Sequence, residues 1–107
     1  METRVVFAES SLKESFEELR VTDPRLAKEI ARAMNEIVSK HQCGRNVRKQ
    51  LIPKRLIRKY GITNLWIYNL RKDWRLIYSI EGEHIELLAI ILDWMSHKEY
   101  ERLFKFT

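Results

Sequence analysis

One cysteine in 107 residues sets the first limits. Cys43 has no second thiol to pair with, which excludes an internal disulfide and a cysteine-based zinc cluster, and so sparse a use of cysteine points to a reducing compartment. Cys43 itself reads as an inert structural residue. Long apolar runs are missing too: none approaches the roughly 20 residues that span a bilayer. The start, Met1-Glu2-Thr3-Arg4, lacks the basic-then-apolar pattern of a secretory signal, so a soluble, cytoplasmic protein is expected. There is no glycine-rich phosphate loop, no nucleophile elbow and no cluster of metal ligands, because His41 and Cys43 alone are too few to hold an ion. Neither metal nor cofactor is expected. No repeat, low-complexity tract or flexible linker divides the chain, and 107 residues are enough for one self-supporting domain, residues 1–107.

The most informative absence is acidic. From Ile37 to Lys72 there is no Asp or Glu, while ten of the twenty Lys and Arg residues fall there: Lys40, Arg45, Arg48, Lys49, Lys54, Arg55, Arg58, Lys59, Arg71 and Lys72. That segment carries +10 and the remainder −5. A solvated basic surface is one reading. Excluding one sign over a whole segment, instead of mixing both, favours a polyanion-binding face, for which nucleic acid is the commonest partner.

Turning to what is present, Asn64 to Trp94 reads as a three-strand meander. In Trp74-Arg75-Leu76-Ile77-Tyr78-Ser79-Ile80 the alternation puts Trp74, Leu76, Tyr78 and Ile80 on one face and Arg75, Ile77 and Ser79 on the other. The preceding strand divides in the same way, Trp66, Tyr68 and Leu70 against Leu65, Ile67 and Asn69. Aligned aromatic faces would put Asn69 and Arg75 together. Ile85 to Leu92 is apolar on both faces, as an internal strand is. Arg71-Lys72-Asp73 and Glu81-Gly82-Glu83 supply the turns.

Before the meander, Arg4 to Ala8 reads as a strand of the same sheet. Ser11 and Glu14 have capping-box spacing for a helix to about Arg20, and Asp23-Pro24 opens a second, amphipathic helix to about His41, so that the two form a hairpin laid on the sheet. Pro53 opens a short helix over Lys54 to Tyr60, anchored by Leu56, Ile57 and Tyr60 and closed by Gly61. Ser96, with Glu99 three residues on, caps a final helix through Tyr100, Leu103 and Phe104. The expected fold class is α+β: an N-terminal strand and helical hairpin packed on a mostly antiparallel four-stranded sheet, with a C-terminal helix.

His84 reads as a solvated turn residue. His97 follows the third strand by a short bend and is expected near the sheet edge beside Arg75, where an imidazole can serve as acid or base, or simply begin a helix.

Leu70-Arg71-Lys72-Asp73-Trp74-Arg75-Leu76-Ile77-Tyr78, then an apolar strand, then His97-Lys98-Glu99-Tyr100-Glu101-Arg102-Leu103-Phe104, resembles the RelE/ParE superfamily of toxins from type II toxin-antitoxin modules. The resemblance implies a RelE-like fold. In the RelE and YoeB branches it also implies ribosome-dependent cleavage of mRNA, with an arginine at the position of Arg75 and functional groups past the last strand at His97, Lys98 and Tyr100. It further implies a cognate antitoxin, for which the outer helices or exposed Ile67 and Ile77 would be the docking surface.

Under that resemblance the reaction is attack of a ribose 2′-hydroxyl on the adjacent phosphorus. Arg75 would stabilise the phosphorane, His97 would act as acid or base and Tyr100 would stack or relay a proton. Lys49, Lys54, Arg55, Arg58, Lys59, Arg71, Lys72 and Lys98 would grip RNA backbone. Two positions depart from the family. RelE-like enzymes have lysines on the strand where this chain has Ile67 and Asn69, and YoeB-like enzymes have a glutamate just before it, in a segment that here holds no carboxylate. The general base is therefore unassigned, with Lys54 as one substitute. The alternative is a non-catalytic relative, either a ParE-like gyrase inhibitor or a homologue that keeps only its grip on nucleic acid or antitoxin.

Overall fold

A five-stranded sheet, ordered β1-β5-β4-β3-β2, carries the chain. The computed structural model describes residues 2–71, 73–82 and 86–105. Lys72, His84 and the Glu83 and Ile85 ends of the second turn lie outside the described residues. The strands are β1 (Glu2–Phe7), β2 (Arg45–Asn46), β3 (Trp66–Asn69), β4 (Trp74–Gly82) and β5 (Glu86–Ser96); the α-helices are α1 (Ser10–Thr22), α2 (Pro24–Ser39), α3 (Lys54–Tyr60) and α4 (His97–Lys105). β1 runs parallel to β5 and the other pairs are antiparallel. The α+β class and the mostly antiparallel sheet are as expected. β5 lies between β1 and β4, which is why its sequence is apolar on both faces.

The strand count is corrected from four to five. Arg45-Asn46 has no apolar alternation to announce it; it is extended because it pairs with Ile67 and Trp66, and Val47 N–H continues the ladder to Leu65 O at 2.9 Å. β5 also runs on to Ser96, past the expected end at Leu92. Between Ile77 and Tyr78 the register shifts, so that Ile77 faces Asp93 while Tyr78 faces Ile91, leaving Leu92 as the additional residue of a bulge. Ile91 and Trp94 consequently share one core, and Leu92 and Met95 the other.

Those cores lie on opposite faces of the sheet. On the first, α1 and α2 bury Phe16, Leu26, Ile30, Ala33 and Ile37 against Leu70, Leu76, Tyr78 and Ile91. On the second, the connector, α3 and α4 bring Val47, Ile52, Leu56, Ile62 and Leu103 onto Leu65, Ile67, Ile77 and Met95. Ile67 at 2% and Ile77 at 0% exposure are core residues, so they offer no docking surface for a partner. The cover that hides them comes from distant segments of sequence.

Helix ends show the same competition between local pattern and context. Asp23 caps α2, its Oδ1 accepting from Leu26 N–H at 3.2 Å. Gly61, at φ 64°, ends α3 in the left-handed region. The Ser11–Glu14 box does not form, because α1 starts at Ser10 with Glu9 in the capping position and no side-chain bond there. α2 stops at Ser39, short of His41. In α3, Leu56 is buried, whereas Ile57 is 39% exposed and does not anchor the helix.

Tyr78 joins the connector to the sheet. Its buried hydroxyl donates to His41 O at 2.9 Å and accepts from Gly44 N–H at 3.0 Å, and burial pushes its pKa well above the usual phenol range. A Cβ at Gly44 would sit 2.8 Å from both Ile67 O and the Tyr78 hydroxyl, so a side chain is excluded there. Cys43 is half-buried beside this junction, and burial raises its thiol pKa.

Two stability measurements follow. Tyr78→Phe removes the partner of both the Gly44 amide and the His41 carbonyl, and should cost about 1–3 kcal/mol in urea unfolding. Ser79 Oγ is buried with no hydrogen-bond partner among the described residues, so Ser79→Ala should be neutral or stabilise by up to about 1 kcal/mol. A clear loss on Ser79→Ala would show that the hydroxyl is bonded in solution.

Candidate functional site

Arg75 is the second residue of β4 and pairs with Asn69 on β3 and Met95 on β5. Directly paired residues share a face. Asn69 and Arg75 therefore stand together on the face away from α1 and α2, as the alternation implied. The guanidinium is half-exposed, donates from Nη1 to Trp74 O at 3.2 Å and meets His97 Nδ1 from Nη2 at 3.3 Å. No carboxylate among the described residues forms an ion pair with it.

His97 reaches Arg75 because β5 pairs with β4 as far as Ser96–Trp74, after which α4 begins at once. Three contacts hold the junction. His97 N–H donates to Asp73 O at 2.5 Å, across a turn in which Asp73 takes φ 62°. Ser96 Oγ accepts from Glu99 N–H at 3.2 Å, and Glu99 Oε1 accepts from Ser96 N–H at 3.2 Å, so the expected capping box closes in both directions. Glu101 Oε1 lies 3.5 Å from His97 Nε2. Arginine has only donors, so Nδ1 is the acceptor in this contact and the neutral ring carries its hydrogen on Nε2, toward Glu101.

Tyr100 completes the cluster. Its ring stacks on His97 with centroids 6.1 Å apart and 23° between planes, packs on Phe104 at 4.7 Å, and has the Arg75 guanidinium 5.8 Å from its centre. Its hydroxyl accepts from Arg45 Nη2 at 2.9 Å. Two fixed cations, an imidazole with one accepting and one donating nitrogen, and a phenol thus converge on one face of the sheet. Together they can bind an anion of two or more oxygens and move a proton beside it.

Arg75, His97 and Tyr100, singled out in the sequence, are brought together. Arg45 and Glu101 were not singled out. The pairing of Arg45 with Ile67, invisible in so polar a dipeptide, puts Arg45 on this face, while Glu101 had a signal in its spacing, four residues after His97 on one helix. Ile67 is buried and Asn69 exposed, so β3 contributes no acid or lysine to the cluster.

The basic residues do not form one surface. Lys54, Arg55 and Arg58 line a groove with Glu99 and Arg102. Lys59 lies across Tyr60 and pairs with Glu9 at 3.5 Å. Arg71 pairs with Glu29 of α2 at 3.5 Å, on the helical side, where a cleft of about 550 Å³ lined also by Asp23, Leu26 and Trp74 touches none of the cluster. Lys49 borders a small recess beside β2, and Lys98 is exposed on α4 next to Glu101.

Comparison with known proteins adds the following. No family model matches the chain, and no curated protein matches it in sequence. Among solved structures it is similar to the YoeB/ParE toxin from Agrobacterium tumefaciens, with a TM-score of 0.63 and 14% identity over 88% of this chain and 98% of that one. The chain shares the fold of that toxin.

Proposed function

We propose that this protein is the toxin of a type II toxin-antitoxin module and that it cuts mRNA on the ribosome by metal-independent transesterification. The observation that carries the reading is the convergence of Arg75, His97, Tyr100 and Arg45 on one sheet face. The shared fold supports the toxin assignment, and with it a cytoplasmic site of action and a cognate antitoxin as partner.

In this mechanism the Arg75 fork binds the non-bridging oxygens of the scissile phosphate and offsets the charge that builds on the pentavalent phosphorane. As the guanidinium turns to the phosphate it frees His97 Nδ1, whose lone pair takes the proton of the ribose 2′-hydroxyl. Glu101 keeps the ring in the tautomer that makes Nδ1 basic. The 2′-oxygen bonds to phosphorus, the bond from phosphorus to the 5′-oxygen breaks, and the Tyr100 hydroxyl, polarised by Arg45, protonates the departing 5′-oxygen. The products are a 2′,3′-cyclic phosphate and a 5′-hydroxyl.

One observation favours a second reading. Ile67 is buried and Asn69 is neutral, so the strand that bears lysines in the resembling nucleases offers no ionisable group on this face. A non-catalytic relative, either a ParE-like gyrase inhibitor or a binder of nucleic acid or antitoxin, would need none.

Inducing the wild type and Arg75→Ala side by side, with transcript 5′ ends mapped, separates these readings. The nuclease reading expects new 5′-hydroxyl ends in translated messages for the wild type, and roughly a 100- to 10,000-fold slower cleavage for Arg75→Ala. Intact transcripts with DNA damage would select gyrase inhibition, and an absence of toxicity would select the binder. Tyr100→Phe keeps the ring contacts and loses only the hydroxyl, so a fall of about 100-fold in cleavage with unchanged RNA affinity would mark a proton role.

A further inference from the structure

Four cations meet in a groove of about 630 Å³ between α3 and α4: Lys54, Arg55 and Arg58 on one wall, Arg102 on the other. Arg102 lies two residues after Tyr100, roughly 200° around the helix, and none of Arg45, Arg75, His97, Tyr100 and Glu101 lines the groove. None of the four cations is in an ion pair among the described residues, although Arg20, Arg32, Lys59 and Arg71 each have a glutamate partner. Glu99 is the one carboxylate among the described residues that line the groove, and its Oε1 is taken by Ser96 N–H and Oγ at 3.2 and 3.0 Å. Asp93 on β5 feels Arg55 and Lys59 electrostatically without pairing to Arg55. Like charges gathered with so little compensation oppose folding, and among the described residues Glu99 is the single one of the chain's fifteen acids that lines this groove.

We propose that this groove binds the phosphodiester backbone of an RNA strand, as an anchor separate from the Arg75 cluster. Three of the four cations are arginines, whose forks match phosphate oxygens. An amphipathic helix would need exposed apolar surface to dock on, and the groove's apolar residues, Pro53 and Leu103, are both buried. The choice of RNA among polyanions rests on the nuclease reading; the affinity for phosphodiesters does not.

The test titrates a labelled single-stranded oligoribonucleotide of about twelve nucleotides into Arg75→Ala protein, so that the strand stays intact, over a series of salt concentrations. Four phosphate contacts predict a log–log salt slope of roughly −2.8. Arg58→Glu with Arg102→Glu should weaken binding about tenfold or more and lower the slope by about 1.4, while Arg25→Glu with Lys28→Glu, the same change of net charge on α2, should leave both nearly unchanged. Glutamine replacements at 58 and 102 should give the same order if the reversals unfold the protein. Polyglutamate is titrated in parallel as a polyanion without phosphate. Equal weakening by both pairs, an unaltered slope in the groove pair, or a groove pair that loses polyglutamate binding but keeps RNA binding would overturn the proposal. Transcript cleavage by the wild type is read separately. Groove-dependent binding with intact transcripts removes the nuclease reading and leaves the anchor; cleavage with groove-independent binding removes the anchor alone.

Discussion

Everything near Arg75 depends on the pairing of β4 with β5. That ladder sets Arg75 opposite Met95 and Trp74 opposite Ser96, and α4 begins at the next residue. His97 is therefore delivered to the guanidinium by strand register, before any property of the imidazole comes into play. The bulge at Leu92 sets the phase. Without an added residue, the end of β5 would present Trp94 to the second face and Met95 to the helices, and the first turn of α4 would start from the other side of the sheet.

Covering both faces of so small a sheet shapes what is left for function. α1 and α2 take one face, and the connector with α3 and α4 takes most of the other, so the exposed remainder of the second face is the end where Asn69, Arg75 and Arg45 lie. The edge strand β2 is only two residues long, yet it places Arg45 at that opening. Tyr78 and Gly44 fix where the connector leaves the sheet, through a contact too close for any side chain at position 44. A stability device and a site residue thus lie within two residues of each other.

What the sequence revealed was mostly periodic. The alternation through Trp74, Leu76 and Tyr78 placed Arg75 and Asn69 on one face, and the Ser96–Glu99 spacing located the start of α4. What it hid was tertiary. Arg45-Asn46 is a strand only through its partner, and the bulge at Leu92 has no glycine to mark it. Ile67 and Ile77 alternate as surface residues do, but the covering helices bury them. Ser11 and Glu14 have the right spacing for a cap and miss it because the helix starts two residues earlier. The acid-free segment was legible as charge but not as shape: Lys59 and Arg71 find glutamates, while Lys54, Arg55, Arg58 and Arg102 are left facing one another across a groove.

The proposed mechanism requires Arg75 and His97 to engage the same bound strand, Arg75 at a phosphate and His97 at the adjacent ribose. Titrating the protein with a 2′-O-methyl oligoribonucleotide, which binds but lacks the attacking hydroxyl, and following the side-chain nitrogen resonances of both residues tests it directly. The account predicts that Arg75 Nη2 and His97 Nδ1 shift on one binding curve while Arg71, on the helical side, stays still. Shifts confined to the helical side, or an Arg75 signal that does not move at saturation, would contradict it.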